Sequence, residues 1–92
     1  MLIENTTFRL LPGVDEAAFL AADARVQVEL MLTQPALIRR TTARGEGSTW
    51  LVVVLWDGDP EDGAMRGPET AAMLALIDSS SLRVERYTAL EG

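Results

Sequence analysis

Asn5, Arg9, Trp56, Met73 and Tyr87 are the residues of this chain best suited to meet a small oxygen-bearing molecule. The Asn5 amide offers both donor and acceptor, and can hold a carbonyl, phenolate or peroxide oxygen; the same amide also suits an ordinary strand-end position. Trp56 presents a flat wall to a planar substrate, or packs in a core or dimer contact. Trp50 shares its strand face at a distance of about 20 Å, too far for one small pocket, and is read as packing. Tyr87, the only tyrosine, can donate to a substrate oxygen. Service as a base near neutrality would need a strongly lowered pKa, and an interface aromatic is the simpler reading. Arg9, Arg40 and Arg86 fall on strands, where they pair across the sheet with Glu4 or Glu85, or else hold an anionic or phenolate ligand. Met73, with Met31 and Met65, is an adaptable pocket liner or plain core.

What is missing narrows the chemistry. The chain has no Cys and no His, which removes the disulfide, the thiolate nucleophile, and the commonest metal ligand and general base. A zinc site is not expected, and neither divalent metal nor heme should be needed: the expected cofactor is none. Asp57, Asp59, Glu61 and Asp62 form an acid-rich turn without the length and pattern of an EF-hand loop, and are read as solvated. The net charge is -6, and all eight basic residues are Arg. That balance argues against nucleic-acid or anionic-membrane partners, which demand a basic face. Neither a bilayer-spanning apolar run nor a signal-peptide pattern is present, and a cytoplasmic location is expected.

These residues depend on the elements that carry them. The stretch Trp50–Trp56 is seven apolar residues without interruption, stopped by Asp57-Gly58-Asp59-Pro60; it reads as a strand apolar on both faces. Leu2 to Leu11 reads as a first strand, with Phe8 and Leu10 on one face and Ile3, Asn5, Thr7 and Arg9 on the other, closed by Pro12-Gly13. Asp15 is a good N-cap for a helix from Glu16 to about Thr33. Phe19, Ala22, Val26 and Leu30 form its apolar stripe, with Glu16, Asp23 and Glu29 largely off it; Gln34-Pro35 ends it. Leu37 to Arg44 is a second strand, with Arg39, Thr41 and Ala43 opposed to Ile38, Arg40, Thr42 and Arg44. It joins the long apolar strand through a turn at Gly45-Glu46-Gly47-Ser48. A helical turn over Pro60–Met65 is possible. Gly67-Pro68 opens a second helix, whose buried side is expected from Ala72 and Leu76, with Met73 and Ile77 beside them. Leu82 to Leu90 is the last strand.

Strand, helix, strand, strand, helix, strand in 92 residues is one α+β domain over residues 1–92, a ferredoxin-like βαββαβ arrangement. The right-handed crossover rule gives a four-stranded antiparallel sheet in the order 4-1-3-2, with both helices on one face. A chain of this size buries only roughly 60–65% of its extended surface, and the second sheet face would expose part of the apolar strand. Face-to-face pairing of two sheets hides it, so a homodimer through the sheet faces is expected.

Three stretches resemble the dimeric α/β-barrel superfamily, close to its small antibiotic-biosynthesis-monooxygenase-like domains. They are Phe8-Arg9-Leu10-Leu11-Pro12-Gly13-Val14-Asp15 entering the first helix, Gln34-Pro35 before the second strand, and Trp50–Trp56 before the acidic turn. Ala36 stands where members of the family often have glycine. The resemblance implies a dimeric α/β barrel and, among many activities on that fold, a cofactor-independent oxygenase. In the similar heme-degrading monooxygenases an Asn early in strand one and a Trp ending strand three line the pocket, positions that Asn5 and Trp56 match. The His that binds heme iron in those enzymes has no counterpart here.

Two readings stay open. One is a cofactor-independent monooxygenase acting on a small aromatic or polyketide-like compound, with Asn5 and Trp56 as catalytic residues and Met73, Arg9 and Tyr87 binding the substrate. The other is a non-catalytic ligand-binding or structural homodimer. Both expect a mostly apolar cavity between helices and sheet, lined by Trp56, Asn5 and Met73. A bulge in the first strand would move Asn5 to the other side.

Overall fold

A computed structural model describes residues 1–60 and 67–90. The elements run β1 (Leu2–Arg9), α1 (Glu16–Thr33), β2 (Leu37–Arg44), β3 (Thr49–Trp56), α2 (Pro68–Leu74), a 3-10 turn (Ser79–Ser81) and β4 (Arg83–Thr88). The sheet order is β2-β3-β1-β4, antiparallel at each junction. The ferredoxin-like expectation holds, including the strand order. The helical turn expected over 60–65 lies almost wholly outside the described residues.

β3 is central because its residues can be buried. Trp50, Val52, Val54 and Trp56 all lie in the core beneath the helices, while Leu51, Val53 and Leu55 are half-buried on the opposite face. α1 begins where Asp15 accepts a hydrogen bond from the Ala17 amide at 3.2 Å, and Phe19, Ala22, Val26 and Leu30 are its buried apolar residues. Phe19 meets the Phe8 ring edge-on at 5.6 Å and Trp50 at 4.9 Å. This aromatic cluster locks α1 onto one end of the sheet, which gives Trp50 the packing role expected of it.

Three local expectations change. Asp23 and Glu29 are not idle solvent-facing acids. Asp23 is buried within the α1 stripe, and Glu29 reaches across to α2. Its carboxylate accepts from the backbone amides of Glu69 at 3.2 Å and Thr70 at 2.9 Å, and from the Thr70 hydroxyl at 2.9 Å. α2 is thus capped by a side chain from α1, since Gly67 has none to offer. The buried residues of α2 are Thr70 and Met73 rather than Ala72, which is exposed, and Leu76 is half-buried. The helix ends at Leu74, and Ile77 instead bridges to Leu10. Finally, β2 shifts register between Leu37 and Arg39. The extra residue turns Leu37 toward the core and leaves Ile38 46% exposed, against the simple alternation expected for this strand.

Candidate functional site

β1 pairs with β3 without a bulge: Leu2 opposes Trp56, Asn5 opposes Val53 and Phe8 opposes Trp50. Directly opposed residues share a face, and strand residues alternate. Leu2, Glu4, Thr6 and Phe8 therefore lie on the helix side with Trp56. Ile3, Asn5 and Thr7 lie on the open side with Val53. The shared cavity expected for Asn5 and Trp56 is corrected by this register. An uninterrupted β1 puts the two on opposite faces of the sheet.

The helix side does hold a cavity, of about 120 Å³. Val52, Val54 and Trp56 form its floor, Val26 and Leu30 one wall, and Met73 and Ile77 its cover. Trp56 and Met73 meet here as expected, because β3 directs even-numbered residues upward and α2 directs Met73 downward. The volume is close to that of an engineered apolar cavity that accepts benzene, so it suits a single aromatic ring. The Trp56 indole Nε1 is buried and has no hydrogen-bond partner among the described residues. Buried polar groups are rarely left so, and such exceptions mark places where a ligand or water belongs.

Charged groups enter from three strands. The Arg40 side chain, only 4% exposed, reaches the cavity from β2, and its Nη2 donates to Asp23 Oδ1 at 2.6 Å. Asp23 Oδ2 accepts from the Thr42 hydroxyl at 2.7 Å, and Arg40 Nη2 also lies 3.8 Å from the Met73 sulfur. On the far side Arg86 Nε donates to Glu4 Oε2 at 2.8 Å, the cross-strand pairing anticipated for β4 and β1. Reading the sequence alone missed Asp23. The available signal was its place four residues after Phe19 and three before Val26, inside the apolar stripe, in a chain whose second strand offers an arginine.

Arg9 and Tyr87 are elsewhere. Arg9 lies at the end of the sheet, 3.9 Å from the Asp78 carboxylate, beside an open groove whose other members include Arg44 and Trp50. Hydrogen bonds from the Ser80 hydroxyl and amide hold Asp78 below the usual carboxylate range; burial opposes them and Arg9 assists. Arg44 is paired with Glu16, and its guanidinium lies 5.1 Å from the Trp50 ring centre. Tyr87 opposes Ile3 on the open face. Its hydroxyl donates to Glu85 Oε2 at 2.8 Å, and this bond to a carboxylate pushes the phenol pKa up, away from what a base requires. Asn5 Oδ1 is buried without a partner among the described residues, between Val53 and Glu85 on neighbouring strands. Of the expected constellation, the fold unites Trp56 with Met73 and separates Asn5, Arg9 and Tyr87 from them.

No group of three or more Asp or Glu that could hold a metal ion occurs among the described residues, nor does a helix long and apolar enough to cross a membrane.

No family model matches the chain, and no curated protein matches it either. Solved structures do. SnoaB, a cofactor-independent oxygenase from Streptomyces nogalater, is 19% identical with a TM-score of 0.74, covering 99% of this chain and 94% of its own. An antibiotic biosynthesis monooxygenase is 13% identical with a TM-score of 0.68, covering 99% and 100%. A conserved protein of unknown function from Bacteroides thetaiotaomicron is 9% identical with a TM-score of 0.67, covering 94% of each chain. At such identities the likeness establishes the fold.

Proposed function

We propose that this chain, built on the fold of the antibiotic-biosynthesis monooxygenases, uses the cavity under its helices as a cofactor-independent oxygenase site for a small electron-rich aromatic compound. The observation that carries the reading is Trp56 itself, whose side chain lines an apolar cavity of about 120 Å³ and whose buried N–H has no partner among the described residues. A donor so placed is matched by one ligand oxygen, and the apolar walls by one ring. A hydroquinone meets both conditions. Its reaction with O₂ gives a hydroxyquinone and water: the ring supplies the electrons, one oxygen atom enters it and the other leaves as water. The protein's part is to hold the ring and orient its oxygen through the Trp56 hydrogen bond, with Met73 fixing its plane.

The competing reading is a binder without turnover. It is favoured by the state of Glu4, the one carboxylate among the described lining residues, which Arg86 already engages. Oxygen uptake separates the two. Hydroquinones should be oxidised above the protein-free rate with one atom of ¹⁸O₂ entering the product, and Trp56→Phe, which keeps an aromatic ring and loses the N–H, should lose most of that rate. Asn5→Ala serves as the opposite-face comparison. Loss of uptake in Asn5→Ala with Trp56→Phe unaffected would move the site to the open face, whereas saturable binding without uptake would leave the binder.

The open face belongs to the same proposal. Leu51, Val53 and Leu55 are only half-buried there, and the adjacent Asn5 acceptor has no donor among the described residues. A second copy laid face to face covers the apolar row.

A further inference from the structure

The charges bordering the cavity cancel. Arg40 and Arg86 are the cations among its described lining residues, and each has its own carboxylate: Asp23 at 2.6 Å and Glu4 at 2.8 Å. Arg40 is the deeper of the two, its side chain 4% exposed against 64% for Arg86. A negatively charged ligand entering here would shed its water and find no unquenched cation in return. It would also approach the Asp23 and Glu4 carboxylates. An uncharged ligand of the same shape avoids both costs.

We infer that Asp23 is the specificity-determining residue of the cavity: by neutralising Arg40, it makes the site select an uncharged aromatic ring over an anionic one of the same shape. The inference rests on the cavity being the ligand site, as proposed above. Asp23 acts through Arg40 and is a positioning residue. Thr42, donating to its second oxygen at 2.7 Å, holds the carboxylate turned toward the guanidinium.

The test uses a matched pair, 2,5-dihydroxybenzamide and 2,5-dihydroxybenzoate, with binding measured by ligand-observed NMR titration in enough salt to screen the overall charge. Wild type should bind the benzamide at least ~10-fold more tightly, the penalty expected for burying a carboxylate without a free cation. Asp23→Asn leaves Arg40 unquenched, and the preference should fall to parity or invert. Glu46→Gln, on the exposed β2–β3 turn, changes the net charge by the same amount and should leave the ratio unmoved. Should Asp23→Asn fail to fold, Glu4→Gln takes its place. It frees Arg86 and should shift the ratio the same way by a smaller factor, since Arg86 is largely solvated. Equal or tighter binding of 2,5-dihydroxybenzoate by wild type overturns the inference, as does a ratio that a folded Asp23→Asn, or Glu4→Gln in its place, leaves unchanged. The oxygenase reading is judged separately by oxygen uptake: a tenfold neutral preference without uptake supports the inference and removes the oxygenase. Uptake with the carboxylate preferred does the reverse, and absence of binding by both compounds overturns both.

Discussion

At the scale of single residues, the buried Arg40–Asp23 pair carries the largest consequence. Removing one partner leaves the other's charge stranded with little access to water. Asp23→Ala should therefore cost about 3–5 kcal/mol in urea unfolding, the range expected when a buried pair is broken. Replacing both with apolar residues of similar volume, Asp23→Leu with Arg40→Met, should restore much of that loss, because no charge is then left buried. A double variant as unstable as Asp23→Ala would show that the pair's hydrogen bonds, from the Thr42 hydroxyl to Asp23 and from Arg40 Nη1 to the Gln27 side-chain oxygen at 3.5 Å, matter more than its charges. Trp56→Phe belongs at this scale too. It removes the unpartnered N–H together with two ring carbons of a buried core side chain, so it should cost about 1–2 kcal/mol of stability while removing the ligand contact. Loss of activity under conditions where the variant is still fully folded is the signature of a functional donor.

Between elements, the contact that matters is Glu29 on α1 holding the N-terminus of α2. Burial pushes its carboxyl pKa up, but the hydrogen bonds from the Thr70 hydroxyl and from the Thr70 and Glu69 amides outweigh it, and the net shift is downward from 4.5. A group with a lowered folded-state pKa contributes its full stabilisation above the unfolded value and loses it as the pH falls through the lower folded value. Stability of the wild type should accordingly fall as the pH drops below about 4.5, and Glu29→Gln should be less stable at pH 7 with a flatter acid slope. Urea midpoints at pH 7 and in the acid range check this, and parallel slopes for the two proteins would contradict it. Gly67 belongs to the same device. Its backbone φ of -67° suits any residue, but an added Cβ would collide with the Glu29 carboxylate. Gly67→Ala should therefore destabilise by evicting that carboxylate, and it should add little to Glu29→Ala in the double variant.

For the whole molecule, the question is what covers the open sheet face. Burial of apolar surface contributes roughly 25 cal/mol per Å² before the cost of association is met. The row Leu51, Val53 and Leu55 lies at the centre of that face, flanked by β1 and β2. Sedimentation equilibrium at micromolar concentration should give the mass of two chains, and Val53→Asp should reduce it to one with the fold kept. A wild type that sediments as one chain would leave the face for another occupant.

Much of this architecture was legible along the chain. The seven-residue apolar run at Trp50–Trp56 required a strand covered from both sides, and the Phe19, Ala22, Val26, Leu30 spacing required a helix to cover one of them. Alternation and stripe are local properties of the backbone, so they survive without tertiary information. The joint placement of Trp56 and Met73 followed from the same logic. The separation of Asn5 from Trp56 did not, because it depends on β1 pairing with β3 without a bulge, and one inserted residue anywhere in β1 would have reversed it. Asp23 and Glu29 were misplaced for a related reason. A carboxylate is expected in water until a partner is known, and both partners, Arg40 seventeen residues away and Thr70 forty-one residues away, are brought near only by the packing of β2 and α2 against α1. The sequence by itself determined the elements, their order and their apolar faces, since these rest on periodicity and sterics within a few residues. Only the tertiary structure decided which polar groups meet, because burial of a charge or an amide is settled by what packs against it.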